Sequence, residues 1–154
     1  MKDLEDSGVL SLKQIKVLVV EDDRKIRRLY YLGIRNGILF QRRSCDGGRE
    51  AIEVYEKWKP DIVILDIVMP DMTGYEVLQY IRERCKDKAT TIVMATSVAD
   101  VGTITACLRL GVQGYIVKPF NHRDIARKII GYFRESDPIR ATLASQYLEE
   151  MMAK

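Results

Sequence analysis

Three stretches of this chain are apolar almost without interruption: KVLVV (16–20), DIVILD (61–66) and TIVMAT (91–96). A strand with one face in water alternates apolar and polar residues. A strand that does not alternate is covered on both faces, which is the condition of a parallel sheet between two layers of helices. Two shorter runs, GILF (37–40) and GYIVK (114–118), bring the expected strands to five. Between them lie helical periods. GGREAIEVYEKWKP puts Ala51, Ile52, Tyr55 and Trp58 on one stripe, and TGYEVLQYIRERC does so with Val77, Leu78, Ile81 and Cys85. Further helices are expected over 23–35, 100–110 and 122–133, with Gly37, Gly74 and Gly111 at element boundaries. Strand alternating with helix five times predicts an α/β fold, a doubly wound five-stranded parallel sheet flanked by helices, with one extra helix at the C-terminus.

Such a sheet collects its chemistry beyond the carboxyl ends of the strands. Read there, the first strand ends in Glu21 and Asp22, the third in Asp66, the fourth in Thr96 and Ser97, and the fifth in Lys118 before Pro119. Each residue alone has an ordinary explanation: a helix cap for Asp23, β propensity for Thr96, a solvated loop for Lys118. Together they predict a pocket of carboxylates, a hydroxyl and an ammonium. Crowded carboxylates repel unless a cation joins them, and either Arg24 and Lys25 or a metal ion would serve. Mg²⁺ suits an all-oxygen set. Asp22 and Asp66 would bind directly and Glu21 through water, leaving one carboxylate as a nucleophile toward phosphorus.

These residues sit in a specific order of motifs. VLVVEDDRKIRRL, DIVILDIVMPDMTGYEVL, IVMATS and GVQGYIVKPF together resemble the receiver domain of two-component response regulators over about residues 15–134. The resemblance implies that Asp66 is the phospho-acceptor, and that Glu21 and Asp22 hold Mg²⁺ with Asp66 and the backbone carbonyl of Val68. It makes Thr96 the switch hydroxyl, Lys118 the phosphate-binding lysine, and Tyr115 the aromatic that turns on activation. It also implies a cis bond between Lys118 and Pro119. Glu21 stands where the family more often has Asp. Residues two beyond the acceptor and two beyond the switch hydroxyl influence hydrolysis of the acyl phosphate in the family. Here they are Val68 and Val98, which cannot orient water, so a long-lived phosphoryl group is expected.

The implied function is a phosphorylation-activated signalling switch, not an enzyme beyond self-phosphorylation and slow autodephosphorylation. The implied partners are a sensor histidine kinase or phosphotransfer protein and an unknown downstream protein. The alternative is a docking module that works without phosphorylation. A haloacid-dehalogenase-like phosphotransferase would need an acid where Val68 stands, and neither nucleotide-binding glycine motif occurs. His122, the single histidine, is expected to be an exposed neighbour of a helix cap, so the phosphodonor histidine belongs to a partner.

Composition narrows the rest. With 154 residues, 47% of them hydrophobic, the chain has room for one core of ordinary size. A net charge of +3 with scattered basic residues gives no sign of direct nucleic-acid binding. Cys45, Cys85 and Cys107 match no metal-ligand spacing and read as buried free thiols. No signal or membrane segment is evident, which predicts a cytoplasmic protein. The expected organisation is an N-terminal extension (1–14), the receiver-like domain (15–134) and a helical extension (135–154). In that last part Asp137 and Pro138 open a helix, and Ile139, Leu143, Tyr147 and Met151 form a stripe for packing on the domain, on a partner or on a second copy.

Overall fold

The computed structural model describes residues 13–97 and 101–154. Five parallel strands form one sheet in the order β2-β1-β3-β4-β5. They are β1 (Ile15–Val20), β2 (Phe40–Cys45), β3 (Ile62–Asp66), β4 (Thr91–Thr96) and β5 (Gly114–Val117). The helices are α1 (Arg24–Gly33), α2 (Gly48–Trp58), α3 (Gly74–Gln79), α4 (Val101–Leu110), α5 (His122–Phe133) and α6 (Pro138–Ala153).

Because strand side chains alternate, each unbroken apolar run serves two cores at once. Ile15, Val17, Val19, Ile62, Ile64, Val93 and Ala95 face a layer made by α1, α5 and α6, where Tyr30, Ile34, Ile125, Ile129 and Phe133 meet them. Leu18, Val20, Val63, Leu65, Ile92 and Met94 face α2, α3 and α4, against Tyr55, Trp58, Val77, Leu78 and Cys107. Fully burying one such side chain contributes on the order of 2 kcal/mol, so the alternation fixes the register of every central strand.

Four expectations need correction. The second strand is Phe40–Cys45, and Gly37, Ile38 and Leu39 form the turn before it. As an edge strand bonded only to β1, it carries the polar run Gln41–Ser44; its arginines stack on rings, Arg43 over Trp58 and Arg42 over Tyr31. Charged residues also protect a sheet edge from pairing with another chain. Leu39 and Phe40 still enter the core.

Cys85 is exposed, unlike the buried Cys45 and Cys107. After α3 the helix widens into a π-helical turn, Tyr80–Arg84, closed by the Cys85 amide donating to the Tyr80 carbonyl at 3.0 Å. The wider turn rotates position 85 off the stripe that Ile81 ends. His122 is half-buried rather than exposed, because Gly33 packs so closely that a Cβ there would lie 2.4 Å from the His122 carbonyl oxygen.

Finally, α6 packs on its own domain, but through Ala141 and Ala144 with Tyr147 and Leu148 beside them. Ile139 and Met151 are largely exposed. Small residues allow close approach to α5, and Arg140 then anchors the helix to Asp61 at 2.9 Å and to the Gln14 carbonyl at 3.0 Å.

Candidate functional site

The carboxyl ends of β1, β3, β4 and β5 form one rim. Leaving β1, the chain turns at Asp23, whose carboxylate caps α1 by accepting from the amides of Lys25 (2.8 Å) and Ile26 (3.2 Å). That cap holds Glu21 and Asp22 at the rim. Arg27 stiffens the turn from the first helical turns, donating to the carbonyls of Glu21 (2.8 Å) and Asp22 (3.2 Å).

Asp66 ends β3, nearly buried, and the following loop folds back on it. Gly74 returns so close that a Cβ would lie 2.2 Å from the Asp66 carbonyl oxygen, and its amide donates to Ile67 at 3.0 Å. Asp71, in the same loop, accepts from the amides of Gly48 and Arg49 at 3.1 Å and so caps α2 from outside. Val68 lies in this loop with its side chain 71% exposed.

Glu21, Asp22 and Asp66 each offer a ligand oxygen within 4.8 Å of the other two. Lys118 is the neutralising cation: its ammonium lies 2.8 Å from Glu21 Oε2 and 3.0 Å from Asp66 Oδ1. Arg24 and Lys25, candidates from the sequence, are exposed on α1 instead. Lys118 is placed by its own amide, which donates to the Thr96 carbonyl at 2.9 Å, and the bond to Pro119 is cis.

Three acids against one ammonium leave two negative charges (−3 + 1 = −2). Burial pushes the Glu21 carboxyl above its usual range, and the Asp66 charge adds to this against the pull of Lys118. Lys118 is raised overall: burial works against its charge, but the two carboxylates outweigh it. An all-oxygen set of this kind, crowded and short of positive charge, fits a hard divalent cation.

Thr96 is buried at the end of β4. Tyr115 on β5 donates its hydroxyl to the Ile104 carbonyl of α4 at 3.0 Å, and burial raises its pKa to about 12. Val98 lies outside the described residues. The sequence reading missed Arg27, Asp71 and Tyr30. The first two act through backbone groups distant in the chain or in another turn, and Tyr30 is hidden within an apolar stripe.

A model of the response regulator receiver domain matches residues 17–130. The chain belongs to that family. Among similar proteins, "Probable transcriptional regulator ycf27" of Guillardia theta is 36% identical over 79% of this chain and 46% of its own length. "Transcriptional regulatory protein ResD" of Bacillus subtilis is 32% identical over 88% of this chain and 58% of its own. The chain spans about half the length of the curated relatives it matches. The solved chemotaxis response regulator CheY4 of Vibrio cholerae superimposes with a TM-score of 0.70 at 28% identity, over 78% of this chain and 99% of its own. As a receiver domain, the chain carries the five-stranded fold of two-component regulators, with α6 lying beyond the residues the family model matches. Among the described residues no helix is long and apolar enough to cross a membrane.

Proposed function

We propose that this receiver is a phosphorylation-activated switch whose acceptor is Asp66. The observation that carries the reading is the rim's two uncompensated negative charges gathered around a carboxylate held against Lys118. Glu21, Asp22, Asp66 and the Val68 backbone carbonyl would hold Mg²⁺, which would neutralise the acids and the incoming phosphoryl oxygens.

An Asp66 carboxylate oxygen attacks phosphorus and forms the acyl phosphate. The bond from phosphorus to the donor breaks, and the donor leaves with that electron pair. The donor is a phosphohistidine of a sensor kinase or phosphotransfer protein. Lys118 pairs with the phosphoryl oxygens, and the Thr96 hydroxyl donates to them. Tyr115 leaves Ile104 for the space beside Thr96, which shifts the population of the α4–β5–α5 surface. Val101, Leu108 and Val117, respectively 74%, 55% and 67% exposed, are apolar there and available to a downstream protein or a second copy. With Val68 and Val98 unable to activate water, the phosphoryl group persists; loss of label within seconds in purified protein would contradict this.

The deciding experiment is incubation with acetyl phosphate and Mg²⁺, followed by intact mass. The wild type should gain one phosphoryl group, and neither the Asp66→Asn variant nor an EDTA-treated sample should. A wild type that stays unlabelled under these conditions would favour a phosphorylation-independent docking module. The relatives named as transcriptional regulators extend well beyond the part that this chain matches, and a transcriptional role for a protein containing this receiver is part of the same proposal.

A further inference from the structure

Tyr30 is the least expected side chain beneath this rim. It lies on the buried face of α1, is 1% exposed, and its ring packs on Phe120 with centroids 4.7 Å apart. Among the described residues its hydroxyl has no hydrogen-bond partner. A phenol so placed forfeits hydrogen bonds it would make in water, and Phe would fill the same space without that cost. Packing therefore accounts for the ring and leaves the oxygen unexplained.

The direction of the side chain supplies an explanation. Long side chains on a helix point back toward its N-terminus, and α1 begins three residues after Glu21. That direction leads toward the end of the sheet where the acids lie, and the Phe120 ring that Tyr30 packs on follows Lys118 by two residues at that same end. Consistent with that placement, burial raises its pKa most, and the charges of Glu21 and then Asp66 raise it further. Glu21, also 1% exposed, is the acid with unmet need. Its Oε1 accepts from the Asp23 amide at 3.2 Å, while among the described residues Oε2 meets only the Lys118 ammonium, which it shares with Asp66.

We propose that Tyr30 is a positioning residue for the cation site, its hydroxyl donating to the Glu21 carboxylate from inside the core through one buried water when the cation is bound. This rests on the reading of Glu21, Asp22 and Asp66 as a metal site. When Lys118 is drawn to a phosphoryl group on Asp66, Glu21 loses its ammonium, and Tyr30 is the donor that keeps the carboxylate oriented. Outer hydrogen-bond partners of this kind fix the orientation of a ligand and tune its affinity for metal.

The test is a Mg²⁺ titration by calorimetry of wild type, Tyr30→Phe and Asp66→Asn, with melting curves in EDTA. Tyr30→Phe should weaken Mg²⁺ binding about 10-fold while its Tm in EDTA stays unchanged or rises. In wild type labelled at tyrosine Cζ, the Tyr30 carbon resonance should move with the same midpoint as metal binding. Equal Mg²⁺ affinity in wild type and Tyr30→Phe, or a Tyr30 resonance indifferent to Mg²⁺, overturns the inference. Absence of Mg²⁺ binding in wild type overturns the underlying metal-site reading instead.

Discussion

The two ends of the sheet handle buried charge in opposite ways. At the carboxyl end, Glu21 and Asp66 share one ammonium and remain short of positive charge. At the amino end the buried Arg82 and its neighbour Asp87 are densely partnered. The buried Arg82 guanidinium donates to the carbonyls of Gly111, Asp87 and Thr90 at 2.8 Å each and to Gln113 Oε1 at 3.1 Å. Asp87 accepts from the hydroxyls of Tyr55 and Thr90 at 2.5 Å and from the amides of Ala89 and Thr90. A saturated network rigidifies, whereas an unsaturated one is left able to bind. The contrast separates the end that holds the fold from the end at which we place the proposed chemistry.

Four measurements would break or sharpen that contrast. The largest effect belongs to Arg82→Met, which takes the guanidinium donor from three carbonyls, while Gln113 Oε1 keeps the Ile92 amide at 2.7 Å. It should lower unfolding stability by about 3–5 kcal/mol in urea titrations, with no recovery on adding Mg²⁺. Lys118→Met should cost about 1–3 kcal/mol in EDTA, since two carboxylates then face each other unneutralised. Unlike Arg82→Met, it should recover most of that loss with excess Mg²⁺, because a ligand that binds only the folded state adds stability. If both variants respond alike to Mg²⁺, the division between the two ends is wrong.

Gly74→Ala forces a Cβ against the Asp66 carbonyl. A loss of about 1–3 kcal/mol is expected, with a larger proportional fall in the rate of labelling by acetyl phosphate, since the displaced backbone belongs to the proposed acceptor. The smallest effect is in the pH profile. Glu21 titrates above its unfolded value of 4.5, so the folded state holds its proton more tightly and stability falls as pH rises from about 4.5 through the folded pKa. Asp87 is held below 3.8: burial opposes this, but the hydrogen bonds from Thr90 and Tyr55 prevail. Its contribution is present above pH 3.8 and lost as pH falls through the folded pKa. Melting curves in EDTA should show Glu21→Gln removing the decline toward neutrality and Asp87→Asn removing the decline in acid.

Much of the working end was legible because its signals are local. Glu21, Asp22, Asp66, Thr96 and Lys118 each follow a strand whose apolar run announces it, and in a parallel sheet all strands finish at the same edge. The amino end was not legible. Arg82 sits in a stretch, RERC, that reads as a solvated helix end. Its acceptors are carbonyls at 87, 90 and 111, which no side-chain pattern records.

By itself the sequence determined the sheet, its two cores and the identity of the rim acids. Burial on both faces and a period of two leave no other way to seat Leu18 beside Val17 or Ile64 beside Leu65. Tertiary structure alone decided that Lys118 rather than Arg24 neutralises Glu21, that β2 is the polar stretch at the edge, and that Cys85 turns outward after a π-helical turn. It also decided that α6 packs through its alanines and that Tyr30 buries a hydroxyl with no hydrogen-bond partner among the described residues. The physical reason is one of range. Hydrophobic periodicity is written in consecutive residues, whereas the partner of a charge and the neighbours of an edge are set by segments far away in the chain.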